Sequence, residues 1–280
     1  MTPVLDRLPA SLFPVRERAI HAYALGMPRS GTVSVFDCFK NEFRAAHEPE
    51  SRFLTFRILD YRAGLAGESE MRSYLRQRDR RLGLELDSSY LNADICDLLA
   101  SEFPQSRFIL PMRDCVSWTE SMMNFLLNKP EFMSKWLKSH IYRHMAMQFG
   151  PPPYSFAPEE KALQEKGLHP LSVYLKYWTE HHRRVIATVP AQRLLVLRTS
   201  ELGRSARLME DFLGLPEGRL QQSVHSNAAP RYHGLIGSVP PAFLRDSVYR
   251  HCGELMSTHF PEVMARLDAE SGQASGDARQ

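Results

Sequence analysis

A short apolar run that ends in a glycine-rich turn is the feature that most constrains this chain. Residues 20–25 are mostly apolar, and Gly26-Met27-Pro28-Arg29-Ser30-Gly31-Thr32 follows directly. Behind the turn, apolar residues recur at helical spacing, namely Val35, Phe36, Phe39 and Phe43. Two glycines let such a turn point successive backbone amides at one anion, and a helix N-terminus favours negative charge. The segment therefore predicts a strand, an anion-binding loop and a helix. A generic strand–turn–helix is the alternative.

Other apolar runs of strand length alternate with helical patterns along the chain. Leu82, Leu84 and Leu86 alternate with polar residues, whereas residues 108–110 and 194–197 are continuous apolar runs, typical of strands buried on both faces. This alternation predicts an α/β fold: a single domain over residues 1–268, with a central parallel sheet of about five strands flanked by helices. In such sheets ligands bind beyond the carboxyl ends of the strands, where the polar motifs of this sequence fall.

Two segments depart from this pattern. Residues 125–170 contain two helical patterns, broken at Gly150-Pro151-Pro152-Pro153, and are rich in Met, aromatic residues and Lys. They predict either a helical lid or acceptor-binding insertion or, equally, an ordinary helical excursion. Residues 269–280 are small and polar, and we expect a disordered tail there.

Composition excludes several classes of protein. The net charge of +3 is weak, and no basic run interleaved with aromatic residues indicates a nucleic-acid surface. The four cysteines are scattered, which is typical of free thiols in a reducing compartment. Neither a signal peptide nor a membrane span is predicted. We therefore expect a cytoplasmic protein.

The glycine spacing matches only the first half of a nucleoside-triphosphate P-loop. Thr32 and Val33 stand where that motif requires Lys and then Ser or Thr, so the phosphate-bridging lysine and the magnesium-holding hydroxyl are both missing. The strand at residues 108–110 also runs into Met112-Arg113 rather than a metal-holding Asp. The loop therefore predicts an anionic ligand other than a triphosphate and no metal.

A second anion site is indicated by Arg113, at a strand end, and Ser121, two turns into the next helix. A guanidinium and a hydroxyl can hold one phosphate by charge-assisted hydrogen bonds, and Asp114 can cap the helix. With residues 28–32, this pattern resembles the sulfotransferase family, whose first loop reads Pro-Lys/Arg-Ser-Gly-Thr and whose second site reads Arg, seven residues, Ser. Residues 193–202 and 209–216 are similar to later family segments, and residues 226–231 more loosely so.

The resemblance implies a P-loop-NTPase-like sulfotransferase fold and a nucleotide donor, 3′-phosphoadenosine 5′-phosphosulfate (PAPS), which leaves as adenosine 3′,5′-bisphosphate (PAP). It implies that Arg113 and Ser121 bind the 3′-phosphate and that Arg231 lies in a loop over the nucleotide. The residues implied for the 5′-phosphosulfate are Arg29, Ser30, Gly31, Thr32 and Val33. Val33 replaces a second Thr found in many members and the extended glycine- and lysine-rich late motif is absent, which favours a bacterial or Golgi-like branch over the steroid and phenol enzymes.

Sulfuryl transfer to a hydroxyl needs charge stabilisation and a base. Arg29 is the candidate for stabilising the leaving oxygen. In residues 45–49 a short strand would end facing the phosphate loop, so Glu48, or with less support His47, is the candidate base. The alternative is that both only stabilise a surface turn before Pro49. Asp87, Ser88 and Asp94 could line the acceptor side.

The acceptor is not specified by the sequence. A hydroxyl-bearing small molecule, a sugar, a lipid and a peptide tyrosine all fit, and the aromatic content of residues 125–180 favours an apolar or aromatic acceptor. A homodimer is left open. Two other functions compete: a P-loop nucleotide-dependent kinase, disfavoured by the missing Lys after Gly31, and a non-catalytic nucleotide-binding module.

Overall fold

A computed structural model describes residues 17–129, 140–150, 152–222 and 233–277. The described residues of Met1–Met112 and Arg184–Asn227 form one compact unit, and those of Arg113–Arg183 and Ala228–Gln280 form a second. We describe each unit by itself. The single domain over residues 1–268 stays a prediction.

The first unit contains a sheet of five parallel strands in the order β2-β3-β1-β4-β5. The strands are β1 Ala22–Ala24, β2 Ala45–His47, β3 Leu86–Ser88, β4 Arg107–Met112 and β5 Leu194–Arg198. This confirms the predicted α/β fold with a parallel sheet flanked by helices. Central strand β1 pairs with β3 and β4, so that Tyr23 lies opposite both Asp87 and Phe108.

The helices follow the strands as parallel crossovers require. Their bounds are α1 Thr32–Phe39, α2 Ser51–Arg62, α3 Glu68–Leu82, α4 Cys96–Glu102, α5 Cys115–Asn128, α6 His140–Phe149, α7 Lys161–Glu165, α8 Leu171–Thr188, α9 Ala206–Leu213, α10 Pro241–His259 and α11 Pro261–Asp277. Short 3₁₀ turns cover Tyr90–Ile95, Pro158–Glu160, Ala191–Arg193, Thr199–Arg204 and Leu235–Ser238. The boundary between the units falls within α8.

One strand prediction needs a correction of register. Leu82 ends helix α3, and strand β3 begins only at Leu86. Met71, Leu75 and Arg78 are buried at helical spacing in α3, and Gly83 adopts the left-handed conformation at the helix end. Alternation from Leu82 to Leu86 therefore spans a helix end, a turn and the first residue of a strand.

The core of the first unit lies where α1 and α9 cover one face of the sheet. Apolar side chains from β1, α1, β3, β4 and β5 form one cluster, which includes Ala22, Ala24, Val35, Phe39, Leu86, Ile109 and Leu197. Burial on this scale is the main favourable term in folding. It fixes the β1–α1 connection at the carboxyl edge of the sheet, where the glycine loop lies.

The second unit is helical in the residues that the structure describes. Helices α10 and α11 pack together, and an aromatic group lies among α5, α6 and α8, in which Phe149, His169, Tyr174 and Tyr177 are in ring contact. Part of the predicted insertion at residues 125–170 lies outside the described residues, and its role as a lid stays a prediction. No described helix is long and apolar enough to span a membrane.

The chain end differs from its expected disorder, since α11 runs on through residues 269–277. Val263, Met264 and Leu267 are buried on its first turns, so a packed helix is already formed where the small polar residues begin. All four cysteines are buried thiols.

Candidate functional site

The loop between β1 and α1 is built around two left-handed residues. Arg29 has φ 68° and Gly31 has φ 105°. Gly31 is also the N-cap residue of α1, and glycine has no side chain with which to cap this helix end. A left-handed residue among right-handed neighbours turns consecutive backbone amides toward one point. The loop therefore has the backbone form of an anion cradle.

Ser30 shapes this loop from inside. Its backbone N–H donates to the carbonyl of Met27 (3.1 Å) and its hydroxyl donates to the same oxygen (2.8 Å). The residue is fully buried. Both donors of Ser30 are thus used within the loop, and its predicted contact to an anion stays a prediction.

The ends of β4 and β5 hold the loop in place. The Thr199 hydroxyl donates to the carbonyl of Ser30 (2.6 Å). A Cβ at Gly31 would lie 2.5 Å from Cδ1 of Leu202, and one at Gly26 would lie 2.5 Å from Cγ of Pro111. Both glycines are therefore required by close approach, and Gly31 by its φ angle as well.

Strand β2 brings the candidate base to the same edge of the sheet. It ends at His47, in parallel register with Ser88 of β3. Nε2 of His47 lies 3.2 Å from the Thr32 hydroxyl oxygen at the start of α1 and 3.8 Å from Oε1 of Glu48. The expectation that a short strand ends here facing the phosphate loop is confirmed.

His47 and Glu48 differ in how they are held. Burial lowers the pKa of His47 from its ordinary value, so its imidazole is neutral at pH 7. Glu48 has φ 51° and its backbone N–H donates to the carbonyl of Ser88 (2.9 Å). The Ser88 hydroxyl in turn donates to the carbonyl of Thr32 (2.8 Å). Ser88 of β3 thus connects the loop and the candidate base, through its hydroxyl and its carbonyl.

The other acidic candidates serve the fold. Asp87 is buried, accepting from Nη1 of Arg78 (2.6 Å) and Nδ2 of Asn92 (3.2 Å). Asp94 is buried and accepts from Nη1 of Arg184 (2.8 Å). Both carboxylates thus take part in structural ion pairs, and a contact of either side chain with an acceptor stays a prediction.

The second predicted anion site lies in the second unit. Nε of Arg113 donates to the Ser117 hydroxyl (3.0 Å), and the Arg113 carbonyl accepts from the Trp178 indole (2.9 Å). Asp114 caps α5, as predicted, by accepting from the backbone N–H of Ser117 (2.9 Å). The Ser117 hydroxyl also donates to the Asp114 carboxylate. Ser121 is half-buried one turn further along α5.

Ser117 is the residue that sequence reasoning missed. Its position four residues after Arg113 and four before Ser121 was the available signal, because residues four apart share a helix face. Arg29 and Val33 are half-buried, and Arg231 lies outside the described residues. Among the described residues, no group of three His, Cys, Asp or Glu side chains could hold a metal ion.

A glycine loop at the carboxyl edge of a parallel sheet, next to a strand-end histidine, lies where α/β proteins place their ligand sites. Residues 88–218 match the family model described as "Sulfotransferase domain". The matched residues, which make up slightly less than half of the chain, support a sulfotransferase assignment. The match includes Arg113, Ser117 and Ser121, whereas residues 26–32, His47 and Glu48 precede it. The match to this domain supports the interpretation of the protein as a transferase enzyme.

Two further comparisons were made. Among solved structures, a sulfotransferase from Alicyclobacillus acidocaldarius aligns with a TM-score of 0.46 and 16% identity, over 90% of this chain and 96% of that chain. No curated protein matches.

Proposed function

We propose that this protein transfers a sulfuryl group from PAPS to a hydroxyl of an acceptor, releasing PAP and a sulfate ester. The observation that carries the proposal is the glycine loop between β1 and α1, with Thr32 of the loop in contact with a neutral histidine at the end of β2. The loop offers backbone donors to an anion and has neither the lysine nor the hydroxyl that a magnesium triphosphate requires.

The residues present fit a nucleotide that carries two separate anionic groups. Arg29, Gly31, Thr32 and Val33 at the start of α1, where glycine is the N-cap residue, would hold the 5′-phosphosulfate. The Arg113–Ser117 pair and Ser121, on the first turns of α5, would hold the 3′-phosphate. We propose no role for a metal.

Glu48 is the proposed base. As the acceptor oxygen bonds to sulfur, its proton moves to the Glu48 carboxylate, and the bond from sulfur to the bridging oxygen breaks with its electrons on that oxygen. Arg29 and the loop amides stabilise the negative charge on this oxygen. His47, held at the Thr32 hydroxyl, is the alternative base, since burial favours its neutral form.

Calorimetric titration with PAP, without magnesium, tests the donor site. We expect micromolar-range binding by the wild type and at least tenfold weaker binding by Arg113→Ala, because one charge-assisted contact is worth about 1.5–3 kcal/mol. Arg183→Ala is the control: this exposed arginine pairs with Glu254 at the surface of the same unit. Failure of the wild type to bind PAP, with binding of ATP and magnesium instead, would point to a kinase.

Turnover separates an enzyme from a binding module. We propose a hydroxyl acceptor drawn from phenols, sugars, lipids and peptide tyrosines, with apolar or aromatic acceptors to be tried first. Incubation with ³⁵S-labelled PAPS should transfer label to at least one of them, and PAP binding without any transfer supports the module. The cytoplasmic location and a homodimer stay predictions.

A further inference from the structure

The turn that carries the proposed base has an unusual backbone. It connects β2 to α2 through Glu48, Pro49 and Glu50, and both glutamates are left-handed, with φ 51° and 54°. Non-glycine residues rarely adopt this conformation, and those that do cluster at functional sites, held there by surrounding contacts. Glycine would be the favourable residue at either position if the turn served only to connect two elements.

Arg78 of α3 holds the middle of this turn. Its Nη2 donates to the carbonyl of Pro49 (2.9 Å), and its Nη1 donates to Oδ2 of Asp87 (2.6 Å). Arg78 is 4% exposed and Asp87 is also 4% exposed. Because Asp87 lies opposite Ala46 in the sheet register, this guanidinium connects the turn to the strand beside β2. A planar guanidinium can make both contacts in one fixed geometry.

Arg81, three residues further along α3, holds the end of the turn. Its Nη2 lies 2.7 Å from Oε2 of Glu50 and its Nε lies 3.3 Å from Oε1, so the pair is two-pronged. Nε of Arg78 lies 3.9 Å from the same carboxylate. Residues three apart share a face of α3. Two guanidiniums on one face of α3 thus bind two consecutive residues of the turn, Pro49 and Glu50.

We propose that Arg78 and Arg81 are positioning residues: they keep the left-handed turn formed, so that Glu48 stays beside His47 and Thr32 at the sheet edge. The inference rests on the proposed function for the role of Glu48. It assigns to α3, which contributes no residue to the phosphate loop, control over where the base lies. Small displacements of a catalytic group can cost about a hundredfold in rate. Loss of these arginine contacts should therefore lower kcat.

Arg81→Ala and Glu50→Gln are the informative variants, because both break the two-pronged pair and the charge left behind is partly exposed, 24% for Glu50 and 13% for Arg81. Arg78→Ala would strand the buried Asp87 carboxylate and is expected to misfold. The matched control is Arg76→Ala on the same helix, whose guanidinium pairs with Glu102 at 2.8 Å. The conservative variant Arg81→Lys retains the charge but loses the two-pronged geometry.

Hydrogen exchange reports on the turn independently of activity. We expect the amides of residues 48–51 to exchange at least tenfold faster in Arg81→Ala and Glu50→Gln, and at the wild-type rate in Arg76→Ala. With PAPS and 4-nitrophenol, kcat should fall at least tenfold in the first two variants, with the KM for PAPS within twofold of wild type. Arg81→Lys should recover part of kcat.

Unchanged exchange at residues 48–51 in both variants overturns the inference, as does faster exchange with unchanged kcat. A parallel rise in the KM for PAPS would assign the two residues to the donor site instead, and would overturn it too. Failure of the proposed function is seen separately, because the wild type would then bind no PAP. The exchange data would still report whether the two arginines hold the turn.

Discussion

Gly31 is the residue of the phosphate loop with the least freedom to change. Its φ of 105° disfavours any side chain, and a Cβ would lie 2.5 Å from the buried Leu202 side chain. Gly31→Ala should therefore lower the free energy of unfolding by about 1–3 kcal/mol and weaken PAP binding at least tenfold. Urea unfolding and calorimetry measure the two effects.

Gly64→Ala is the matched control for crowding. Gly64 is also left-handed, with φ 70°, but nothing lies within 4 Å of its would-be Cβ. It should lose stability through its backbone alone and keep PAP affinity. Equal losses of PAP affinity in the two variants would contradict a specific role for the loop.

Glu48→Gln tests the base. We expect kcat to fall by about 10²–10⁴ while PAP affinity is unchanged, since general base catalysis contributes a factor of that size. His47→Asn should cost less if Glu48 takes the proton, and more if His47 does. In the latter case the wild-type rate should fall as pH drops through the lowered pKa of His47, which a rate profile between pH 5 and 9 would measure.

At the scale of single residues, the sequence predicted backbone positions better than side-chain contacts. It placed the glycine loop, and a short strand within residues 45–49 that ends facing it, because spacing and strand order determine them. It could not tell that both donors of Ser30 turn inward, since that depends on the Met27 carbonyl. It also could not tell that the Asp87 carboxylate accepts from Arg78, which lies nine residues earlier in the chain, in helix α3. Side-chain direction depends on neighbours distant in sequence.

Among the helices, α5 carries a buried carboxylate, that of Glu120, which accepts several hydrogen bonds. Glu120 accepts from the backbone N–H groups of Leu235 (3.2 Å) and Ile236 (2.7 Å) and from Nδ2 of Asn124 (2.7 Å). Asn124 in turn accepts from the backbone N–H of His233 (2.6 Å). Two residues one turn apart on α5 thus hold the segment that begins at His233.

Glu120→Gln should lower the free energy of unfolding by about 1–3 kcal/mol, because an amide nitrogen would face a backbone N–H and leave a buried donor unpaired. Glu254→Gln, on the exposed side of α10, is the control and should change stability by less than about 0.5 kcal/mol. Urea denaturation of both variants checks this. A Glu120→Gln protein as stable as the control would mean that water replaces the contacts.

Elements were predicted best where periodicity was long. The parallel sheet followed from repeated strand–helix alternation, whereas the end of α3 was misread because Leu82, Leu84 and Leu86 mimic a strand across a helix end. The predicted disorder from residue 269 also missed α11, since composition does not show that Val263 and Leu267 are already packed.

At the scale of the whole molecule, buried histidines should make the stability of the folded protein depend on pH. Burial lowers the pKa of His169 to about 4, and burial lowers that of His182 well below its ordinary value. The unfolded chain, with histidine pKa values near 6.5, therefore binds more protons than the folded protein below that pH. The contribution of these histidines to the free energy of unfolding is fully present above about pH 6.5. It should fall as pH drops from there toward 4, by up to about 2–3 kcal/mol for His169.

Thermal unfolding between pH 7 and 4.5 measures this slope. His169→Gln should flatten it, because glutamine does not titrate, even if the variant is less stable at pH 7. His251 is less perturbed, as its pKa is only modestly lowered by burial, and His251→Gln should flatten the slope less. Equal slopes in wild type and His169→Gln would contradict the assignment.

The contact between Thr199 and Ser30 joins residues 169 positions apart, which has a consequence for synthesis on the ribosome. Thr199 is synthesised 169 residues after Ser30, so the loop sequence leaves the ribosome well before the side chain that braces it. Until Thr199 has been added, the loop lacks this hydrogen bond. A ligand that needs the braced loop would therefore stabilise the nascent chain only after that point.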